Sequence, residues 1–420
     1  MPHSERLNET QQKILSVKNL KKRRGALCIG SGAHFIHDGF ADVLYLLLPL
    51  WQAEFALSLT QVGFLRTAYS GAMALLQVPA GMLAERFGER LLLCFGTLVT
   101  GLAYLSLGSS GGHLTLLSIL LIGGAGSTVQ HALCSSLISQ AYERGPRREA
   151  LGVYNFAGDL GKIAVPFLVA MVITGFGWRW GTTSIGVLGI SCSIIAYLLL
   201  TRLGIGAQPV VTVGSKSTNN KYTLQKRGWG IKDGRGFAVL SIIAILDSAA
   251  RSGFLTFLPF LMVSKGADVG TIGFALAVTF AGGATGKFIC GFLASKFGII
   301  HTVILTEAIT CFGIAIILPL SLNLTLVLLP LIGIGLNGTS SVLYGTVSDF
   351  ITSKSQARGF GLFYTLAIGG GASAPVLFGV LSDFSNVEMT LKVIALVAFT
   401  TIPLCKLLIG PLAQADQRSA

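Results

Sequence analysis

Twelve runs of roughly 20 or more apolar residues, the first at about 26–50 and the last at about 388–411, leave this chain few folds to choose from. A helix of that length covers the ~30 Å hydrocarbon core of a bilayer. In lipid, only helices and closed barrels satisfy their own backbone groups. The runs are continuous rather than alternating, so the expectation is an all-α integral membrane protein. Charged residues make up only 12% of the 420, about half the share of a soluble domain. The first 25 residues are polar and basic and lack an apolar h-region, so no cleaved signal is expected.

Basic residues set the expected orientation. With both termini in the cytoplasm, seven Lys/Arg fall in the N-terminal tail and seven in 202–235, whereas the outer turns hold only Arg179, Lys265 and Lys392. The net charge of +13 then follows from positive-inside topology and calls for no nucleic acid. Seven scattered cysteines form no CxxC pair and read as small apolar residues, with no disulfide or zinc framework.

One long polar connection, 204–235, divides six runs from six, and the halves repeat. "GFLRTAYSGAMALLQVPAGMLAERFG" from Gly63 matches "GFALAVTFAGGATGKFICGFLASKFG" from Gly273. Asp38 and Pro49 correspond to Asp247 and Pro259, and Gly152 and Pro166 to Gly361 and Pro375. The expected layout is a tail at 1–25, a six-helix bundle at 26–203, a cytoplasmic linker at 204–235, a second bundle at 236–411 and a tail at 412–420. A pseudo-two-fold axis along the membrane normal relates two such bundles.

Charges inside the spans are the exceptions to this pattern. Each costs roughly 2.5–3.5 kcal/mol at the bilayer centre. "YNFAGDLGKIAVP" carries Asp159 and Lys162 at i,i+3, near the midplane of the fifth span. Two readings stand: a self-neutralised packing pair, or a cavity-lining pair used for substrate or protons. The repeat places Ile368 and Gly371 at the equivalent positions, so the fold itself does not demand charges there. In the first span His34, Asp38 and Asp42 share a face, with His37 beside them. Asp38 is the leading proton carrier because its mate Asp247 lies at the equivalent depth. The histidines also read as satisfied core residues, and no outer ligand set accompanies them to imply a metal. Asp247 and Arg251 have the i,i+4 spacing of an ion pair, and Arg66 and Lys287 add two further bases. Four intramembrane bases favour an anionic or partly anionic solute; if they only balance Asp38, Asp42, Asp159 and Asp247, the solute is neutral or cationic. Gln130, His131, Asn337 and Tyr344 add polar contacts to this candidate cavity. Glu307 is set aside as peripheral.

"IGIGLNG" spells G-x-G-x-x-G at Gly333, Gly335 and Gly338, but in an apolar span, where glycines serve close helix approach rather than a nucleotide. No Walker motif, nucleophile–base spacing or cofactor motif emerges, so neither ATP-driven transport nor an enzyme is expected.

The turn "GMLAERFGER" resembles the signature of the major facilitator superfamily, with Gly81, Glu85, Arg86, Gly88 and Arg90 in its places. Glu85 stands where Asp is usual, and the second copy, "GFLASKFGII", has Ser295 for the acid. The opening "FIHDGFADVLYLLLPLWQAEFALSLTQVGFL" is similar to the fosmidomycin-resistance type of transporter within that family. The resemblance implies a secondary active transporter working by alternating access as a monomer in the cell membrane. Its substrate would be a small anionic or amphipathic solute, exported against protons. It also implies a cytoplasmic latch at the acid–base turn, with Arg148 and Arg358 as partners of Glu85. An importer of an organic anion or phosphorylated metabolite, and a receptor or scaffold that transports nothing, remain open on the same residues.

Overall fold

The computed structural model describes residues 3–143, 146–207, 230–352 and 356–413. Within the N-terminal half, α1 (His3–Phe55), α2 (Leu59–Phe87), α3 (Glu89–Leu107), α4 (His113–Ser127), α5 (Gln130–Ala141), α6 (Arg147–Phe176) and α7 (Trp178–Leu203) follow one another. The C-terminal half contains α8 (Gly234–Ser264), α9 (Val269–Phe297), α10 (Ile299–Ile317), α11 (Leu322–Thr346), α12 (Gln356–Phe384) and α13 (Val387–Cys405). Because α4 and α5 are two parts of one crossing, these are twelve spans. Ten are long and apolar enough to cross a membrane by length and composition alone. The other two, α1 and α2, are the spans diluted by the histidines, acids and Arg66 noted above.

Two boundaries differ from the sequence reading. The basic segment before residue 26 is not a separate tail but the continuation of α1 back to His3. It is rich in Lys, Gln, Glu and Arg, which lose little side-chain entropy in a helix. The fourth span is interrupted at Thr128–Val129. There the Thr128 hydroxyl donates to the carbonyl of Met73 on α2 (2.8 Å). Side-chain bonds to a neighbouring helix compensate such a break in the backbone ladder. Most of the linker (208–229) and the end of the chain (414–420) lie outside the described residues.

Packing repeats with the sequence. The pairs α1–α6, α2–α4 and α3–α7 of the first bundle recur as α8–α12, α9–α11 and α10–α13 of the second. Between bundles, α2 packs on α12 and α6 on α9, so the pseudo-two-fold operation exchanges one contact for the other. Gly88 and Gly298, both near φ +86°, close the equivalent sharp turns α2–α3 and α9–α10 (φ 87° and 86°). That backbone region is open to glycine and strained for other residues.

The apolar core forks. One cluster spans both bundles at the end where α2 begins and α12 ends, joining Phe40–Trp51 of α1, Ala250–Met262 of α8 and neighbours on α2, α6, α9, α11 and α12. At the opposite end it divides into two separate cores, one around Cys134 and Tyr154, the other around Phe350 and Phe363. The bundles are therefore closed together at one end and parted at the end that carries α1's start and the central linker. The closed end has backbone contacts: a Cβ on Gly63 would sit 2.2 Å from the Pro375 carbonyl, and one on Gly379 2.4 Å from that of Leu59. At the parted end Gly81, Gly152, Gly291 and Gly361 have no such neighbour within 4 Å among the described residues.

Candidate functional site

Where the core forks, a cavity of about 230 Å³ opens between the bundles. Asp38 and Asp42 of α1, Arg66 of α2, His131 of α5, Lys162 of α6, Arg251 of α8 and Asn337 of α11 all line it. It thus combines residues that the sequence placed on six different spans. The close approach of α1 and α6 brings the first of these together. A Cβ on Gly161 would lie 2.0 Å from the Phe35 carbonyl, so only glycine lets α6 press against α1 there. Lys162 and Asp159 are thereby held beside Asp38.

The charges form a chain rather than isolated pairs. Lys162 Nζ lies 3.3 Å from Asp38 Oδ2 and 3.7 Å from Asp159 Oδ1. Asp159 in turn accepts a 2.6 Å hydrogen bond from Lys287 Nζ on α9. The reading of Asp159 and Lys162 as a pair closed on itself is therefore corrected. Its tightest contact crosses to the other bundle, because Lys287 bonds the same Asp159 Oδ1 that faces Lys162, and at the shorter distance.

Arg66 is held within its own bundle. It donates from Nη1 to the Ala41 carbonyl (2.9 Å) and from Nη2 to the Tyr45 hydroxyl (2.8 Å), with its guanidinium 4.3 Å from the Tyr45 ring centre. Its Nη2 is 3.9 Å from Asp42. Arg251 is different. It donates to Ser248 Oγ at 3.4 Å, yet among the described residues no carboxylate oxygen lies within 4 Å of it. The expected Asp247–Arg251 pair does not close to a direct contact of 4 Å or less: Arg251 lines the cavity, while Asp247 is buried with both Arg251 and Glu307 of α10 as neighbours. Glu307, which the sequence reading set aside, is 1% exposed and packs among Thr339 and Thr401. Periphery was inferred from its helix; its face on that helix decides otherwise.

The histidines gather around Asp38. His34 stacks on Tyr154 (ring centres 4.1 Å apart), and its Nδ1 donates to the Tyr154 carbonyl at 2.9 Å. His131 stands edge-on to both His34 and His37, with centres 5.0 and 4.8 Å away. Sequence spacing had no means of bringing α5 to this face. Four of the cavity candidates lie off its wall: His34 and Lys287, which reach it through Asp38 and Asp159, and Gln130 and Tyr344. Gln130 is buried inside the first bundle, donating to Cys134 Sγ, and Tyr344 stacks on Tyr364 (4.6 Å).

At the parted end, Arg86 lies over the Phe87 ring (5.4 Å), and Arg90 over Tyr197 (5.8 Å). The Arg90 amide donates to the Gly206 carbonyl (3.1 Å), tying the turn to the end of its own bundle. Glu89, not singled out from the sequence, binds Ser136 and Gln140 of α5. The side chains of Glu85, Arg148 and Arg358, the expected latch, lie outside the described residues. At the closed end a lock does appear: Asp383 of α12 accepts from the Leu59 and Thr60 amides at the start of α2 (2.7 and 2.8 Å).

Comparison with known proteins agrees with this architecture. The chain is 25% identical over 386 residues to the fosmidomycin resistance protein of Escherichia coli, covering 88% of this chain and 89% of that one. It is 26% identical over 256 residues to a probable L-galactonate transporter of the same organism, covering 57% and 54% respectively. Its fold matches a bacterial homologue of the human lysosomal transporter Spinster, solved inward-facing and unoccupied, with a TM-score of 0.73 at 17% identity over 94% of this chain and 93% of that one. The sequence profile of the Major Facilitator Superfamily matches residues 30–230 and 240–419. With twelve spans in two repeated bundles around a charged central cavity, the chain belongs to the Major Facilitator Superfamily of membrane transporters.

Proposed function

We propose that the chain exports a small organic anion in exchange for protons, alternating the central cavity between the two sides of the membrane. The observation that carries the anionic reading is Arg251. The cavity wall contains three bases, Arg66, Lys162 and Arg251, against two acids, Asp38 and Asp42. Among the described residues Arg251 has no carboxylate within 4 Å, and the second acid of the chain, Asp159, is taken by Lys287. A guanidinium with no carboxylate in direct contact keeps its donors free for carboxylate, phosphonate or sulfonate groups, which it can hold in a two-pronged bond. Fosmidomycin, a phosphonate, and L-galactonate, a carboxylate, are the compounds named for the two relatives above.

Alternating access follows from where the bases sit. Arg66 and Lys162 belong to the first bundle and Arg251 to the second, so an anion bound between them bridges the bundles. The parted end bears the basic N-terminus and linker; with those in the cytoplasm, the cavity faces inward. Asp38 is the proposed proton carrier. Its protonation would release Lys162, and with it the Asp159–Lys287 link to the other bundle, tying proton occupancy to bundle separation. Asp42, Asp159 and Asp247 are the secondary candidates for that role.

The test is uptake of fosmidomycin into everted membrane vesicles under an imposed inside-acid gradient. The parent is expected to accumulate it, and Arg251→Gln to lose at least tenfold in initial rate. Equal uptake by parent and variant would remove the anion reading.

A further inference from the structure

The three histidines and Asp38 do more geometrically than the transport reading uses. His34 Nδ1 faces a backbone carbonyl, which only accepts, so that nitrogen carries the ring proton. Its Nε2 is then the ring's lone-pair position. It lies 3.3 Å from Asp38 Oδ1, is buried, and has no hydrogen-bond partner among the described residues. His131 Nε2 approaches the same oxygen, at 3.8 Å. All three ligand atoms lie within 4.8 Å of one another. Three potential metal-ligand atoms thus converge on one point beside the cavity.

We infer that His34, Asp38 and His131 form a binding site for a divalent transition-metal ion of the zinc class. In a tetrahedral zinc site with bonds of about 2.0–2.1 Å, neighbouring ligand atoms stand about 3.3–3.4 Å apart. The His34–Asp38 separation of 3.3 Å already has that length, and the His131–Asp38 separation of 3.8 Å needs a small rotation of His131. That rotation has room, because the His131 side chain is 43% exposed to the cavity. The Nδ1 bond of His34 to a backbone carbonyl fixes its tautomer and aims Nε2, the usual outer-shell arrangement of a metal-binding histidine. Asp38 divides its work: Oδ1 faces the imidazoles and Oδ2 faces the Lys162 ammonium, so metal and lysine share one carboxylate from opposite sides. The fourth position faces the cavity, where water or an anionic oxygen completes the shell. His37, buried with an Nε2 that has no partner among the described residues, stands beside His131.

The site is tested on the purified full chain in detergent, with no transported solute present, so its outcome is independent of the export reading. Zinc titration calorimetry is expected to show saturable binding at one ion per chain. His131→Ala and His34→Gln should each weaken it by at least about tenfold, while His301→Ala, at the exposed start of α10, should not. Cobalt in place of zinc should give a tetrahedral visible spectrum without a thiolate charge-transfer band, which separates this site from the seven cysteines. Absence of zinc binding by folded parent, binding undiminished in both histidine variants, or a thiolate band would each overturn the assignment. In the first case the triangle takes a proton instead.

Discussion

Arg251 and Asp383 illustrate what single residues contribute here. Arg251→Lys keeps the charge but loses the planar fork, so transport of a phosphonate should fall severalfold in affinity, less than in Arg251→Gln; concentration dependence of vesicle uptake checks this. Asp383 places a carboxylate on the first amides of a helix in the opposite bundle. Such contacts at an exposed helix N-terminus are worth about 0.3–1 kcal/mol. Asp383→Asn should therefore shift the resting population toward opening at that end by about two- to fivefold, visible as faster labelling of cysteines introduced near Leu59. Much of the site was legible residue by residue: Asp38, Arg66, Lys162 and Lys287 stood out as charges in apolar spans. Asp383 did not, because an acid at the end of a span reads as ordinary surface.

Helices contributed what spacing left undetermined. The i,i+3 relation of Asp159 and Lys162 was visible, but their partners depended on how α6 packs against α1 and α9. Likewise the i,i+4 spacing of Asp247 and Arg251 permits an ion pair without requiring one, and the long arginine instead reaches into the cavity. His131 was visible as a polar residue in the fourth span, but its place beside His34 and His37, just beyond the break at Thr128–Val129, depended on how α5 packs against α1. Gly161 is the pivot of this arrangement. Gly161→Val should force α6 off the Phe35 backbone, lowering thermal stability by about 1–3 kcal/mol and abolishing transport; Gly175→Ala, in open space on the same helix, should do neither. Melting of the purified variants, followed by the vesicle assay, distinguishes the two.

At the scale of the whole molecule, the duplicated sequence foretold the two bundles and their symmetry, since a repeat at 209–210 residues preserves the same helix contacts in each half. Which end is closed was not foretold, because apolar patterning is the same along each span; it emerges only from where the core is shared between bundles. Joining the closed end permanently should stop the cycle. A short bifunctional thiol reagent joining Thr60→Cys on α2 to Asp383→Cys on α12, whose native side chain already reaches the Thr60 amide, in a background lacking the native cysteines, is expected to block transport, with each single-cysteine variant unaffected by the reagent. The account's central claim is that protons and an anion use one cavity in opposite directions. Respiration-acidified everted vesicles carrying a pH-quenched dye measure this directly. Adding fosmidomycin should restore fluorescence in vesicles with the parent protein and leave it unchanged with Asp38→Asn. Recovery in the Asp38→Asn variant equal to the parent's, or none in the parent while it still takes up the anion, would contradict the claim.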